Sequence, residues 1–356
     1  MKHNWSKKFV SFVIAAAMLV TMIPAGIVSA ATSSQFIDFP AGTWSEEAMD
    51  AAVNNGLLYG KSANTIEPQS CLTRAEMAAV INRAFGAEIA ADISSYTDVS
   101  QSAWYYNDMA VAVNMQTFEG DGSGHLYPEN YITREEVFSV LARALVYETD
   151  DFSSLNKFAD NAQISQWAKE YLSALAQRGY ISGDENSNVN PQANITREEF
   201  AQLMHNIFKT YISLPSAYSY VNDDSVMINS SGATLVNVTV NGDVVIGDGV
   251  GFNPVSLTNV TIKGRLVARA GSITRTNVTA GGGVVVKNVN GETHFNNYKT
   301  DEVFKGVQEY TYTTYKTGTG SSTIGGGSGS TVKYTYTVRY YLQNLAQNGY
   351  DIQDKY

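Results

Sequence analysis

The stretch "LTRAEMAAVINRAF", Leu72 to Phe85, decides the fold, because the chain repeats it. Thr73 and Glu76 stand three residues apart ahead of an apolar stripe of Met77, Val80, Ile81 and Phe85. That pattern predicts a helix opened by a capping box, in which each side chain satisfies the other's free backbone N–H. The same Thr-Arg-x-Glu signature recurs as Thr133 with Glu136 and as Thr196 with Glu199, and the second stripe reads Val137, Val140, Leu141 and Leu145. The spacings between the threonines are 60 and 63 residues, and other landmarks keep them: Trp44, Trp104 and Trp167; Gly60, Gly120 and Gly183; Pro68, Pro128 and Pro191. An aromatic-x-Asp triplet precedes each tryptophan and ends at Asp38, Asp98 and Asp160. Several landmarks in one register make the N-terminal half three copies of one unit.

Each unit reads as helix, turn, helix. In "WSEEAMDAAVNNG" the residues Trp44, Ala48, Ala51 and Ala52 fall at helical spacing and Gly56 stops the helix. A connection that is extended around Pro68 leads to the second helix. The tryptophans then open an amphipathic helix and are expected at least partly in the core. Gly60, Gly120 and Gly183 are expected to supply a positive φ after the first helix. The aspartates stand open between a turn or capping role and a ligand contact. Cys71, the only cysteine, sits where the other copies have Tyr131 and Asn194, so it is not expected to be catalytic.

One choice runs against helix physics. Arg74, Arg134 and Arg197 occupy the first helical turn, where the dipole disfavours a cation by some tenths of a kcal/mol. Arg83 and Arg143 lie near the favourable C-terminal ends and are structural by default; the third copy has Asn206 there. Two explanations of the first-turn arginines stay open. One is an ion pair with a neighbouring acid. The other is an anion site, where guanidinium, helix dipole and exposed amides converge on one carboxylate or phosphate.

These motifs resemble those of S-layer homology domains, the triplicate modules that attach exported proteins to bacterial cell walls. The resemblance covers about residues 34 to 212, with modules at 34–90, 94–150 and 156–212. It implies an all-α pseudo-threefold helical bundle whose grooves bind pyruvylated secondary cell wall polysaccharide. It also implies a set of glycan-binding residues: Arg74, Arg134, Arg197, Asp38, Asp98, Asp160, Trp44, Trp104, Trp167, Gly60, Gly120 and Gly183. The residue types suit the ligand. Arginine can grip a ketal carboxylate bidentately, aspartate accepts from hydroxyls, and an indole covers the apolar face of a sugar. The middle copy departs most, with Gln116 in place of the stop glycine and "GDGSGH" in its loop.

Beyond the third unit the sequence turns β-rich. "NVT" recurs at Asn237, Asn259 and Asn277 among β-branched residues and glycines, which predicts an all-β region over 225–300, a short parallel β-helix with Asn and Thr stacked at its corners. A Gly/Ser/Thr-rich linker is expected over 301–331. Residues 332–356 resemble the opening strands of mucin-binding-type adhesin repeats, too few for a core of their own. Either the chain is cut short there or a terminal strand pairs with something else.

Residues 1–30 read as a secretory signal, with Lys2, Lys7 and Lys8 ahead of "FVSFVIAAAMLVTMI" and small residues up to Ala30. Removing its three lysines takes the formal charge from −10 to −13. So acidic a chain argues against nucleic acid and anionic membrane surfaces as partners, and no span is expected in the mature chain. The expected location is the cell wall or S-layer of a Gram-positive-type bacterium.

No cofactor, metal site or catalytic residue is expected. His3, His125, His205 and His294 have no triad or ligand spacing, and Asp243, Asp248 and Glu292 show no pairing. The expected function is non-catalytic anchoring of a surface protein. One alternative is a structural S-layer or adhesin component whose solenoid mediates assembly with other surface proteins. A wall-anchored polysaccharide-degrading enzyme ranks behind both.

Overall fold

The computed structural model describes residues 33–221, 224–251 and 253–290, together with strands at 294–297, 313–317, 331–335, 341–344 and 349–352. The expected leader, Glu292 and most of the 301–331 segment lie outside the described residues.

Six helices build the N-terminal part: α1 Glu46–Asn54, α2 Arg74–Phe85, α3 Tyr106–Asn114, α4 Arg134–Leu145, α5 Lys169–Gln177 and α6 Arg197–Ile207. Thr73, Thr133 and Thr196 cap α2, α4 and α6 in full capping boxes. The apolar stripes of α2 and α4 are buried. The copies interlock in a closed cycle, since α1 packs on α6, α3 on α2 and α5 on α4. At its centre, Leu72 N donates to Ile195 O (3.1 Å), Ile195 N to Ile132 O (3.1 Å) and Ile132 N to Leu72 O (3.0 Å). Three buried apolar residues thus satisfy each other's backbone with no free edge.

Two sequence expectations are corrected. The tryptophans lie ahead of α1, α3 and α5 and are exposed by 61 %, 65 % and 49 %; the core side of α1 is Ala48, Met49, Ala52 and Val53. Gly60, Gly120 and Gly183 do not carry positive φ. A Cβ would meet Ser62 O at 2.4 Å, His125 O at 2.6 Å or the Ser187 carbonyl carbon at 2.7 Å, so these glycines are required by close backbone approach. Positive φ falls instead at Gly56, Gln116 and Gly179; the glutamine takes the left-handed turn that glycine takes in the other copies.

α6 runs straight into β1, Phe208–Ile212, so the β-rich part begins inside the segment expected to close the third unit. It is a parallel β-solenoid of about four turns. One sheet joins β1, β3 (Ser225–Ile228), β6 (Val244–Ile246), β8 (Leu266–Ala268) and β10 (Val284–Val286). The other joins β2 (Ala217–Tyr218), β4 (Thr234–Val236), β7 (Pro254–Ile262), β9 (Ser272–Ala280) and β11 (His294–Asn297), with β5 (Thr239–Val240) beside β7.

The second sheet alternates buried and outward residues, as a sheet with one wet face should. At its corner Asn237, Asn259 and Asn277 adopt left-handed backbone, and their amides stack in a ladder at 2.8 and 2.9 Å, the arrangement expected from the repeated "NVT". The first sheet is buried on both faces. Val226, Val244, Leu266 and Val284 point into the solenoid, while Met227, Val245, Val267 and Val285 join the helical core. Beyond the solenoid, β12 (Thr313–Thr317) pairs antiparallel with β13 (Thr331–Thr335), and β14 (Tyr341–Asn344) with β15 (Gly349–Ile352).

The helical and β-rich parts therefore share one interface. Arg265 donates to Val146 O and Leu145 O at the end of α4. Arg269 donates to Ala144 O and to Met115 O just past α3. Asp243 and Asp248 neutralise them at 2.7 and 2.6 Å. Burial opposes the charge on Arg265, but the Asp243 carboxylate wins and holds its pKa above the ordinary arginine value. Tyr147 also donates to Asp243 (2.7 Å).

Candidate functional site

The first-turn arginines tie the units together. Arg74 Nε donates to Leu126 O (2.8 Å), Arg134 Nε to Val189 O (2.9 Å) and Arg197 Nε to Ile66 O (2.8 Å), each acceptor lying in a different copy from its donor. Arg74 Nη1 also pairs with Glu136 at 2.6 Å and Arg134 Nη1 with Glu199 at 2.8 Å. Those glutamates are the capping-box acids of the neighbouring copy, so one carboxylate closes a helix and anchors a guanidinium. Arg197 breaks the pattern, because its equivalent partner Glu76 is paired with Lys61.

The backbone amides expected to face a ligand are already used. Arg74 N, Arg134 N and Arg197 N donate to Asn130 O, Ala193 O and Ser70 O, and the next amide in each helix donates to the carbonyl of Pro128, Pro191 or Pro68. The third amide is held by the threonine cap. Helix dipole and free amides therefore form no anion site here. Of the three, Arg74 lines a groove, whereas Arg197 is buried at 4 % exposure with its guanidinium on the carbonyls of Ile66 and Tyr59.

The aspartates have an equally specific role. Asp38 accepts from the amides of Ile66 and Glu67 (2.8 Å each), Asp98 from Leu126 and Tyr127, and Asp160 from Val189 and Asn190. The second residue of each pair, Glu67, Tyr127 or Asn190, has φ of 51 to 52° and precedes a proline, a corner that non-glycine residues rarely adopt. The carboxylate holds that corner in place. For Asp38, burial pushes the pKa upward, yet the two amide bonds outweigh it and hold it below the usual value.

The groove between the copies is lined by Arg74, Glu119, Gly120, Asp121, Arg143 and Trp167, and encloses about 540 Å³. A second cleft of about 600 Å³ lies beside Trp44, with Asp38, Glu67 and Glu198 on its walls. The structure thus brings an arginine and a glycine together with the tryptophan of another copy in one groove, and an aspartate with a tryptophan in the other cleft. It leaves the indole faces open. Sequence reasoning passed over Tyr59 and Glu119, which differ at one position of the repeat, and Lys61, which stands at the repeat position of Asp121 and Asp184 and pairs with Glu76. The signal was present in that register.

Asp243 and Asp248 are spent on the buried arginines at the solenoid interface. Among the described residues no group of three or more His, Cys, Asp or Glu could hold a metal ion. Among them, too, no helix is long and apolar enough to cross a membrane.

Comparison with known proteins agrees with this architecture. The model of the S-layer homology domain matches residues 36–78, 95–138 and 157–201. The chain is 29% identical over 245 residues to the surface-layer 125 kDa protein of Lysinibacillus sphaericus, covering 67% of this chain and 20% of that protein. It is 28% identical over 291 residues to S-layer protein EA1 of Bacillus anthracis, covering 80% of this chain and 31% of the relative, so that similarity extends past the helical units. An amylopullulanase of Thermoanaerobacterium thermosulfurigenes shares 27% identity over 169 residues, 47% of this chain and 9% of the enzyme. The chain spans less than a third of the length of each of these relatives. It carries three S-layer homology domains followed by a parallel β-solenoid.

Proposed function

We propose that the helical part is a cell-wall anchor that binds pyruvylated wall polysaccharide, and that the chain is a non-catalytic surface protein of a Gram-positive-type bacterium. The observation that carries this reading is the trio of exposed indoles, Trp44, Trp104 and Trp167, in equivalent places of the three copies. Large aromatic rings left open at the mouth of grooves suit the apolar faces of sugars. The closed cycle of hydrogen bonds through Leu72, Ile132 and Ile195 supports a pseudo-threefold arrangement that would present the grooves around one polymer, where several weak contacts gain avidity.

The S-layer relatives favour a second role alongside anchoring, as a component of a surface lattice with other copies as partners. The amylopullulanase match covers 47% of this chain and 9% of the enzyme, and a module shared between an enzyme and S-layer proteins fits an anchor better than a catalytic part.

The test is binding of the full chain to purified wall polysaccharide before and after its pyruvyl groups are removed. Binding that disappears with the pyruvyl groups supports the reading. Equal binding to both forms means that neutral sugar contacts suffice and the carboxylate grip is wrong.

A further inference from the structure

The second sheet of the solenoid carries an outer face that none of the roles above uses. In register, Thr234, Ser256 and Thr274 form one row across β4, β7 and β9, and Val236, Thr258 and Thr276 form the next. These residues alternate with fully buried ones and are themselves half-buried, so they stand on the wet side of the sheet. Among the described residues none of their hydroxyls has a hydrogen-bond partner.

The face differs from the rest of the chain in charge. The stretches 229–242, 249–264 and 271–286, which build these coils, contain no Asp or Glu in a chain that carries 34, and Lys263 is their one exposed cation. Copies with a formal net charge of −10 repel one another, and a face without carboxylates is where they can approach. Shape selects the same partner. Parallel strands without a register shift space the rows by about 4.7–4.9 Å, and the surface with that period is the same face on another copy, the methyl groups of one entering the gaps of the other. The rows carry no aromatic ring on which a sugar would stack. Three strands about 4.8 Å apart, by about 16 Å along each, give a face on the order of 250 Å² per copy, well under the roughly 800 Å² of a stable complex.

We propose that this face is a contact between copies of this chain, two solenoids meeting sheet to sheet about a two-fold axis, weak in dilute solution and effective where anchored chains are crowded. The proposal rests on the lattice role stated above and gives that role a surface.

The test is disulfide trapping in the full chain. Cys71 is the only cysteine, and Tyr131 and Asn194 hold its place in the other copies, so Cys71→Ser supplies the background. Ser256 lies at the centre of the face, nearest its own copy across the axis. Ser256→Cys should therefore form the disulfide dimer at least about tenfold faster than Ala63→Cys, which is more exposed but lies in the helical part. Adding Thr258→Glu and Thr276→Glu should slow trapping to the Ala63→Cys rate and keep the melting temperature, since both residues stand on the wet side. Equal rates for Ser256→Cys and Ala63→Cys, or no slowing by the glutamates, would overturn the proposal. Electron microscopy of the unaltered chain on wall fragments reports the lattice role separately. Ordered arrays with equal trapping rates leave that role standing on another surface, selective trapping without arrays keeps the contact alone, and equal rates without arrays remove both.

Discussion

Arginine meets backbone carbonyls at both ends of the long helices, and the two ends differ in what the helix dipole contributes. At the N-terminal ends Arg74, Arg134 and Arg197 work against the dipole, reaching across to the carbonyls of another copy. At the C-terminal end of α4, Arg265 and Arg269 of the solenoid work with it, on the carbonyls of Ala144, Leu145 and Val146. The first set closes the cycle of units at some local cost, and Arg74 among them lines an open groove. The second is buried and joins the ring to the solenoid. One residue type therefore serves assembly at one end and rigid attachment at the other.

The largest expected effect breaks the second set. Arg269 is 1 % exposed and paired with Asp248. Arg269→Ala leaves a buried carboxylate and two carbonyls without a partner, and should cost about 3–5 kcal/mol in chemical denaturation. Because the sheet residues Met227, Val245, Val267 and Val285 share the helical core, helical and β signals should fall in a single transition. Two separated transitions would mean that the solenoid is an independent stalk.

That interface was partly legible in the sequence. "VVI" at Val244, "LVA" at Leu266 and "VVV" at Val284 are unbroken apolar runs, the pattern of strands buried on both faces, whereas "SLTNVTI" from Ser256 alternates. What no periodicity could reveal is the partner of the extra face, because Arg265 and Arg269 occur once and meet residues more than 100 positions away. The three helix-turn-helix units, by contrast, were readable from the repeat, since each landmark occurs three times. Their site was less so. The repeat pointed to the tryptophans, aspartates and arginines, but spacing could not tell that the indoles lie outside the core or that the aspartates hold a strained corner.

A smaller effect sharpens the comparison on the ring side. Asp98 accepts from two amides at a corner where Tyr127 has φ of 52°. Asp98→Ala should cost about 2–3 kcal/mol, since charged acceptors are worth about 1.5–3 kcal/mol per bond and water can replace part of them. Asp98→Asn keeps one acceptor oxygen and should recover part of the loss. Equal stability of the alanine variant and the unaltered chain would mean that proline alone sets the corner.

The smallest effect is a pH dependence at the interface. Burial, with Arg269 and Arg143 nearby, depresses Lys287 to about 8 from an ordinary value of 10.5. The unfolded chain therefore binds more protons there between those values, so this residue makes stability rise with pH from about 8 to 10.5. Lys287→Met should remove that rise and add on the order of 1–2 kcal/mol at pH 7. A pH profile of unfolding that is the same in both proteins would place the lysine in water.

The central claim is a division of labour, with buried arginines and aspartates building the frame and exposed indoles meeting the glycan. The most direct test combines Trp44→Ala, Trp104→Ala and Trp167→Ala in one chain and measures both polysaccharide binding and thermal melting. The account predicts that binding is lost while the melting temperature shifts by no more than a few degrees, because the rings contribute little to the core. Retained binding would contradict it, and so would a collapse of the fold, which would make the indoles part of the frame.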